Sequence, residues 1–122
     1  MKNDYCPYKL SLALKTAGFD EPCRDFYWTS DGTFKHTDAL VHKNSISCDT
    51  MVAAPILWQA QKWLREVKHI SIRVSYIPYH KVWFADWLNL DTGEFDDTDA
   101  NFDTYEEALA DGIAVALQLL DN

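Results

Sequence analysis

The chain is short of the residues that punctuate, cross-link or anchor a polypeptide. Its 122 residues contain only three cysteines, Cys6, Cys23 and Cys48, with no C-x-x-C pair. That spacing offers neither a disulfide framework nor tight metal-ligand pairs, and reads as reduced thiols of a cytoplasmic protein. No run of apolar residues reaches the ~18 needed to cross a bilayer. The opening stretch MKNDYCPYKLSLALKTAG has a brief apolar segment and no cleavage region, so no signal peptide is expected. Positive charge is scarce: 11 Lys and Arg stand against 19 Asp and Glu, for a net charge of −8 and a pI near 4.7. Most of such a surface repels a phosphate backbone, and the chain has no basic run, so nucleic acid is not expected as a partner. A glycine-rich phosphate loop, a serine elbow and a dinucleotide fingerprint are likewise missing.

Apolar material is plentiful. Hydrophobic residues make up 48% of the chain, including five Trp, six Tyr and six Phe. This is enough for a packed core, and the length suits one domain spanning 1–122.

The stretch Pro55 to Ile77 organises the sequence as a helix running into a strand. Pro55 suits a first helical turn, where its missing N–H has no helical partner. Ile56, Leu57, Ala60, Trp63, Leu64 and Val67 then recur at three- and four-residue spacing and form one stripe. Trp58 falls off that stripe, beside Gln61, Lys62 and Arg65. After Lys68-His69 the period changes to two. Ile70, Ile72, Val74 and Tyr76 alternate with Ser71, Arg73, Ser75 and Ile77, a half-buried strand rich in β-branched residues.

The flanking segments supply partners. A helix over 7–18 carries Leu10, Ala13, Leu14 and Ala17, with Gly18 as the residue that stops it and Phe19 folding back. Arg24–Thr29 and Thr33–His36 read as strands around a Ser30-Asp31-Gly32 turn. The stretch 37–50 has no clear period beyond short extended pieces. Pro78-Tyr79-His80 reads as a hairpin tip, with Lys81–Leu90 returning. On that returning strand Trp83, Ala85 and Trp87 share one face, and Val82, Phe84, Asp86 and Leu88 share the other. Both faces are apolar enough to be buried, so the pattern does not choose between them. An acidic loop runs from Asp91 to Asp99. The last helix, 104–120, opens on a Thr104–Glu107 capping box and carries Gly112 within its apolar stripe. The expected fold is therefore α+β: three helices on one face of a mostly antiparallel two-layer sheet, in the order α-β-β-α-β-β-α.

Candidate chemistry is thin. Cys23 and Cys48 are possible nucleophiles, with His36, His42, His69 and His80 as possible bases, but thiolate chemistry needs an imidazole in reach and a cause for a lowered pKa. The histidines and cysteines lack the paired spacing of a zinc site, and the acids of 91–99 lack the spacing of a calcium loop. No metal and no cofactor is expected. Asp86 is an acid on an otherwise apolar strand, without an identifiable companion for paired-carboxylate hydrolysis.

The segments LALKTAGFDEPC (12–23), APILWQAQKWLREVKHISI (54–72) and FDTYEEALADGIAVALQLL (102–120) together resemble a group of small proteins from gut Bacteroidetes and their phages or mobile elements. The resemblance implies a cytoplasmic accessory protein and transfers no catalytic residue. With no coherent catalytic constellation, the sequence favours a small noncatalytic protein-interaction module or homodimer. Trp58, Trp83 and Trp87 are its candidate interaction residues, because aromatic anchors dominate interface centres. A small thiol-dependent or hydrolytic enzyme, or a phage structural protein, is the alternative.

Overall fold

The computed structural model describes residues 4–40, 42–46 and 48–120, with the side chain of Cys48 excepted. It is an α+β fold with three α-helices and two antiparallel three-stranded sheets. The chain packs as two compact units, Met1–Ile56 and Leu57–Asn122.

In the first unit, α1 (Tyr8–Thr16) is followed by β1 (Asp25–Trp28), β2 (Phe34–His36) and β3 (Met51–Ala53), in sheet order β2-β1-β3. The helix stops where the sequence says it should. Gly18 takes φ +100°, its N–H donates to the Lys15 carbonyl, and the Phe19 N–H reaches back to the Leu14 carbonyl at 2.9 Å. These two bonds are the Schellman pattern, and Leu14 and Phe19 are both buried beside it. The buried face of α1 is Leu10, Ser11 and Leu14. Ser11 takes the place expected for Ala13 because its hydroxyl has a buried acceptor, the Cys6 carbonyl, at 3.3 Å. Tyr27 donates to the same carbonyl at 2.7 Å, at the centre of a cluster with Val52, Ala54, Tyr5, Tyr8, Leu12 and Phe34.

Two loop devices tie this unit together. Asn44, 8% exposed, donates to the Phe19 carbonyl at 2.8 Å and accepts the Ala53 N–H at 2.9 Å. Asp20 accepts the Ser45 N–H at 2.7 Å. The bonds from Ser45, with Lys43 nearby, hold the Asp20 carboxyl below its ordinary value of 3.8. A depressed folded pKa stabilises above the unfolded carboxylate value of ~3.9 and loses that effect as pH falls through the folded value. An NMR titration of the Asp20 carboxyl carbon is expected to give a midpoint below 3.8. Ser45 amide exchange, corrected for intrinsic pH effects, should rise across the same acid window. A midpoint at the free-aspartate value would remove the bond from the account.

The second unit holds α2 (Leu57–Val67), β4 (Ile70–Ile77), β5 (Val82–Asn89), β6 (Phe95–Asp97) and α3 (Tyr105–Leu120), in sheet order β4-β5-β6. The long hairpin is present over its expected length. Helix α2 starts two residues beyond Pro55, because the Pro55 carbonyl accepts the Cys6 N–H and Ile56 is held in a β-bridge to Tyr5. Its buried residues are Leu57, Ala60, Trp63 and Leu64, while Ile56 just before it and Val67 at its end are exposed. Thr104 caps α3 by accepting the Glu107 N–H at 3.1 Å, and its hydroxyl donates to the Glu107 carboxylate at 2.9 Å.

The strands thus fall into two sheets where the sequence suggests one. Alternation marks a strand but leaves its pairing to nonlocal contacts. The two strands that the pattern hides, β3 and β6, are each three residues long and exist through pairing with β1 and β5.

Gly112 shows which sheet face α3 covers. A Cβ there would lie 2.7 Å from Ile72 Cγ2 and 2.9 Å from Ala85 Cβ. The ladder pairs Ile72 with Trp87, Val74 with Ala85 and Tyr76 with Trp83. Directly opposed residues share a face, so Trp83, Ala85 and Trp87 lie on the α3 side. The face left open is Ser71, Arg73, Ser75 and Ile77 with Val82, Phe84, Asp86 and Leu88.

Candidate functional site

The hydrogen-bond phase of the hairpin decides what β4 presents at its outer edge. The Leu90 N–H donates to the His69 carbonyl at 2.8 Å, which continues the ladder by one step. Antiparallel bonds alternate along the strand. Odd-numbered residues of β4 therefore bond to β5, and Ile70, Ile72, Val74 and Tyr76 aim their N–H and C=O groups away from it. Gln61 of α2 confirms the phase, because its Nε2 donates to the Ile72 carbonyl at 2.9 Å. At the far end Pro78 has no N–H to offer. Between these two stops, the main-chain groups of Val74 and Tyr76 have no partner among the described residues.

Aromatic rings stand beside this opening. The Tyr76 and Trp83 ring centroids are 4.7 Å apart, and Tyr105 meets Trp83 edge-on at 5.5 Å. Tyr76 and Tyr105 are both partly open to solvent, and Tyr79 at the hairpin tip is 91% exposed. Trp83 is held in place by a two-way main-chain bridge to Phe102, 2.8 Å each way.

The open sheet face carries a shallow depression of about 580 Å³, lined by Ser71, Arg73, Phe84, Asp86, Leu88 and Phe95 among others. At its centre Arg73 Nη2 donates to Asp86 Oδ2 at 2.8 Å, and that bond and charge raise the guanidinium pKa above its ordinary value. Asp86 thus has a companion, but a cation; the pair satisfies itself.

The edge at β6 is finished differently. It is three residues long, it carries Asp96 and Asp97, and the Asp97 N–H is taken by Asp96 Oδ1 at 2.8 Å. Short length and charge are the usual guards of a sheet edge.

The three tryptophans occupy different settings. Trp58 is 60% exposed on α2, with Lys62 Nζ 5.5 Å from its ring centroid. Trp83 belongs to the aromatic cluster at the β4 edge. Trp87 is half-buried on the α3 side, opposite Ile72. Among the described residues, no ring contact joins Trp58 to the other two.

The residues considered for thiol chemistry are placed as follows. Cys23 is 2% exposed and its thiol donates to the Glu21 carbonyl. His42 meets Cys23 through a main-chain bridge, while its ring lies against Phe26 at 4.6 Å. His36 is paired with Asp25 and His69 with Asp91, and His80 packs edge-on to Tyr79. Burial, with Cys23 close by, pushes the Cys6 thiol well above the range in which a thiolate forms. The side chain of Cys48 lies outside the described residues. A sulfur as enclosed as that of Cys23 is out of reach of a substrate. Among the described residues no group of three or more His, Cys, Asp or Glu side chains is arranged to hold a metal ion. Among the described residues no helix is long and apolar enough to cross a membrane.

Comparison with family models, with curated proteins and with solved structures finds no match to the chain.

The free edge was invisible to a side-chain reading. Main-chain phase follows from register, and register follows from the turn. The tip read from the sequence, 78–80, is one residue shorter than the loop 78–81 between β4 and β5, and a one-residue difference changes the pairing.

Proposed function

We propose that the chain is a noncatalytic protein-interaction module that takes up an extended strand along β4. The observation carrying this reading is the pair of unfilled residues at that edge, Val74 and Tyr76, beside the Tyr76–Trp83–Tyr105 cluster. A strand added there gains main-chain bonds for affinity and ring contacts for selectivity. Tyr and Trp are the side chains that most often anchor interfaces, because they bury much area at small rotamer cost. The acidic balance of the chain disfavours nucleic acid as the occupant, and a protein strand suits the geometry. Trp58, on another element, is a separate surface in this reading.

The test is capture of partners by tagged protein from host extract, with each variant first checked for folding by circular dichroism. Tyr76→Lys places a charge at the edge, and Trp83→Ala removes the central ring. Specific capture is expected to fall at least tenfold for both and to persist in Trp58→Ala. Full retention by folded Tyr76→Lys and Trp83→Ala would reject the β4 edge as the docking element.

A further inference from the structure

We infer that the strand taken up along β4 is β4 of a second copy, paired antiparallel about a two-fold axis at Ser75. The inference rests on the interaction reading above and names its partner. With Ser75 on the axis, Val74 of each copy lies opposite Tyr76 of the other. Both residues have outward main-chain groups, so each pair exchanges both N–H···O=C bonds. The ends of the window match as well. Ile72 falls opposite Pro78 of the second copy. The Ile72 carbonyl already accepts from Gln61, and the proline facing it has no N–H that would be left without an acceptor. A strand with an ordinary residue at that position would bring an N–H to an acceptor already in use.

Side chains and charge agree with this pairing. On the α3 side, Val74 meets Tyr76, a β-branched residue against an aromatic. On the open side, Ser75 meets Ser75 at the axis and Arg73 lies beside Ile77. The chain carries 19 acids, yet residues 67–85 contain none, and their cations are Lys68, Arg73 and Lys81. Arg73 is already neutralised by Asp86. Two copies of a chain of charge −8 can therefore meet along this hairpin without setting carboxylate against carboxylate.

Ser75 provides the test. It occupies a position that does not bond to its opposite number, where Cα atoms are ~4.5 Å apart, within the range a disulfide spans. Under mild oxidation Ser75→Cys is expected to give a covalent dimer, with the 75–75 linkage mapped by mass spectrometry because Cys6, Cys23 and Cys48 are also present. Ser71→Cys, on the same face but four residues from the axis, is expected to give at least fivefold less symmetric cross-link. By sedimentation velocity the unmodified protein should show a concentration-dependent monomer–dimer equilibrium. Ser75→Lys, which sets two cations face to face, should weaken that equilibrium at least tenfold while leaving the circular dichroism spectrum intact. Equal cross-linking of the two cysteine variants, or a strict monomer at several hundred micromolar, would overturn the two-fold pairing. In the monomeric case, loss of partner capture in Ser75→Lys would overturn the self-pairing alone and leave the interaction reading standing. Unchanged capture in Ser75→Lys would sink both.

Discussion

Gly112→Ala is expected to destabilise the protein by about 1–2 kcal/mol, although alanine is the better helix former by ~1 kcal/mol. The reason is the space the new methyl group would need. It would lie 2.7 Å from Ile72 Cγ2 and 2.9 Å from Ala85 Cβ. Neither atom can swing away, since one is a branch on a strand Cβ and the other is itself a Cβ. Relief requires α3 to lift from the sheet, and overpacking of this kind typically costs about 1–3 kcal/mol. Gly112→Leu should be worse. Chemical denaturation gives the sign directly, and a gain of stability in Gly112→Ala would mean the close approach is not present. Coupling supplies a second check. In the Gly112→Ala background, Ala85→Gly removes one of the two obstructing atoms and should recover part of the loss, as a double-mutant cycle measures.

Asn44→Ala carries the other large expected effect, about 2–3 kcal/mol. The side chain is nearly enclosed and uses both ends of its amide, one on the Phe19 carbonyl and one on the Ala53 N–H. Truncation leaves a donor on fully buried Ala53 without its acceptor, and a buried unsatisfied group costs about 1–3 kcal/mol. Asn44→Asp is a sharper probe. It keeps the acceptor for Ala53 and replaces the donor with an oxygen facing the Phe19 carbonyl. Asn44→Ala should speed amide exchange at Ala53 while Asn44→Asp, which keeps that acceptor, should do so less, and a wild-type denaturation midpoint in Asn44→Ala would refute the clamp.

These two residues mark the limits of reading this chain from its letters. Local signals are legible: Gly18 ends α1, the Thr104–Glu107 pair opens α3, and the period-two run after His69 yields the hairpin. Gly112 within an apolar stripe reads equally as a close approach or a tolerated defect, and its contact with Ile72 and Ala85 decides for the approach and resolves the ambiguity of β5. Asn44 has no such signal. It sits in a stretch without period, and its role depends on two residues brought to it by the fold. The same holds for β3 and β6, whose few residues have little strand character of their own. Of the candidate site, the misfit of Trp58 with its stripe was readable and it is indeed exposed. The open edge at Val74 and Tyr76 was not, because it belongs to the backbone and to the order of strands in a sheet.

The unequal finish of the two sheet edges has a consequence for how far association through this sheet can run. A building block with two receptive sides can add copies without end and grow into a fibre. Here β4 is receptive only between Gln61 and Pro78, and β6 is closed by its brevity, its carboxylates and the side chain seated on the Asp97 N–H. Among the described residues this sheet has one receptive edge. A strand that joins at β4 would occupy it, and two copies joined there would present β6 at both margins. Under the two-fold pairing proposed above, the geometry that admits a second copy would also end growth, because this sheet would then offer only its guarded β6 edges.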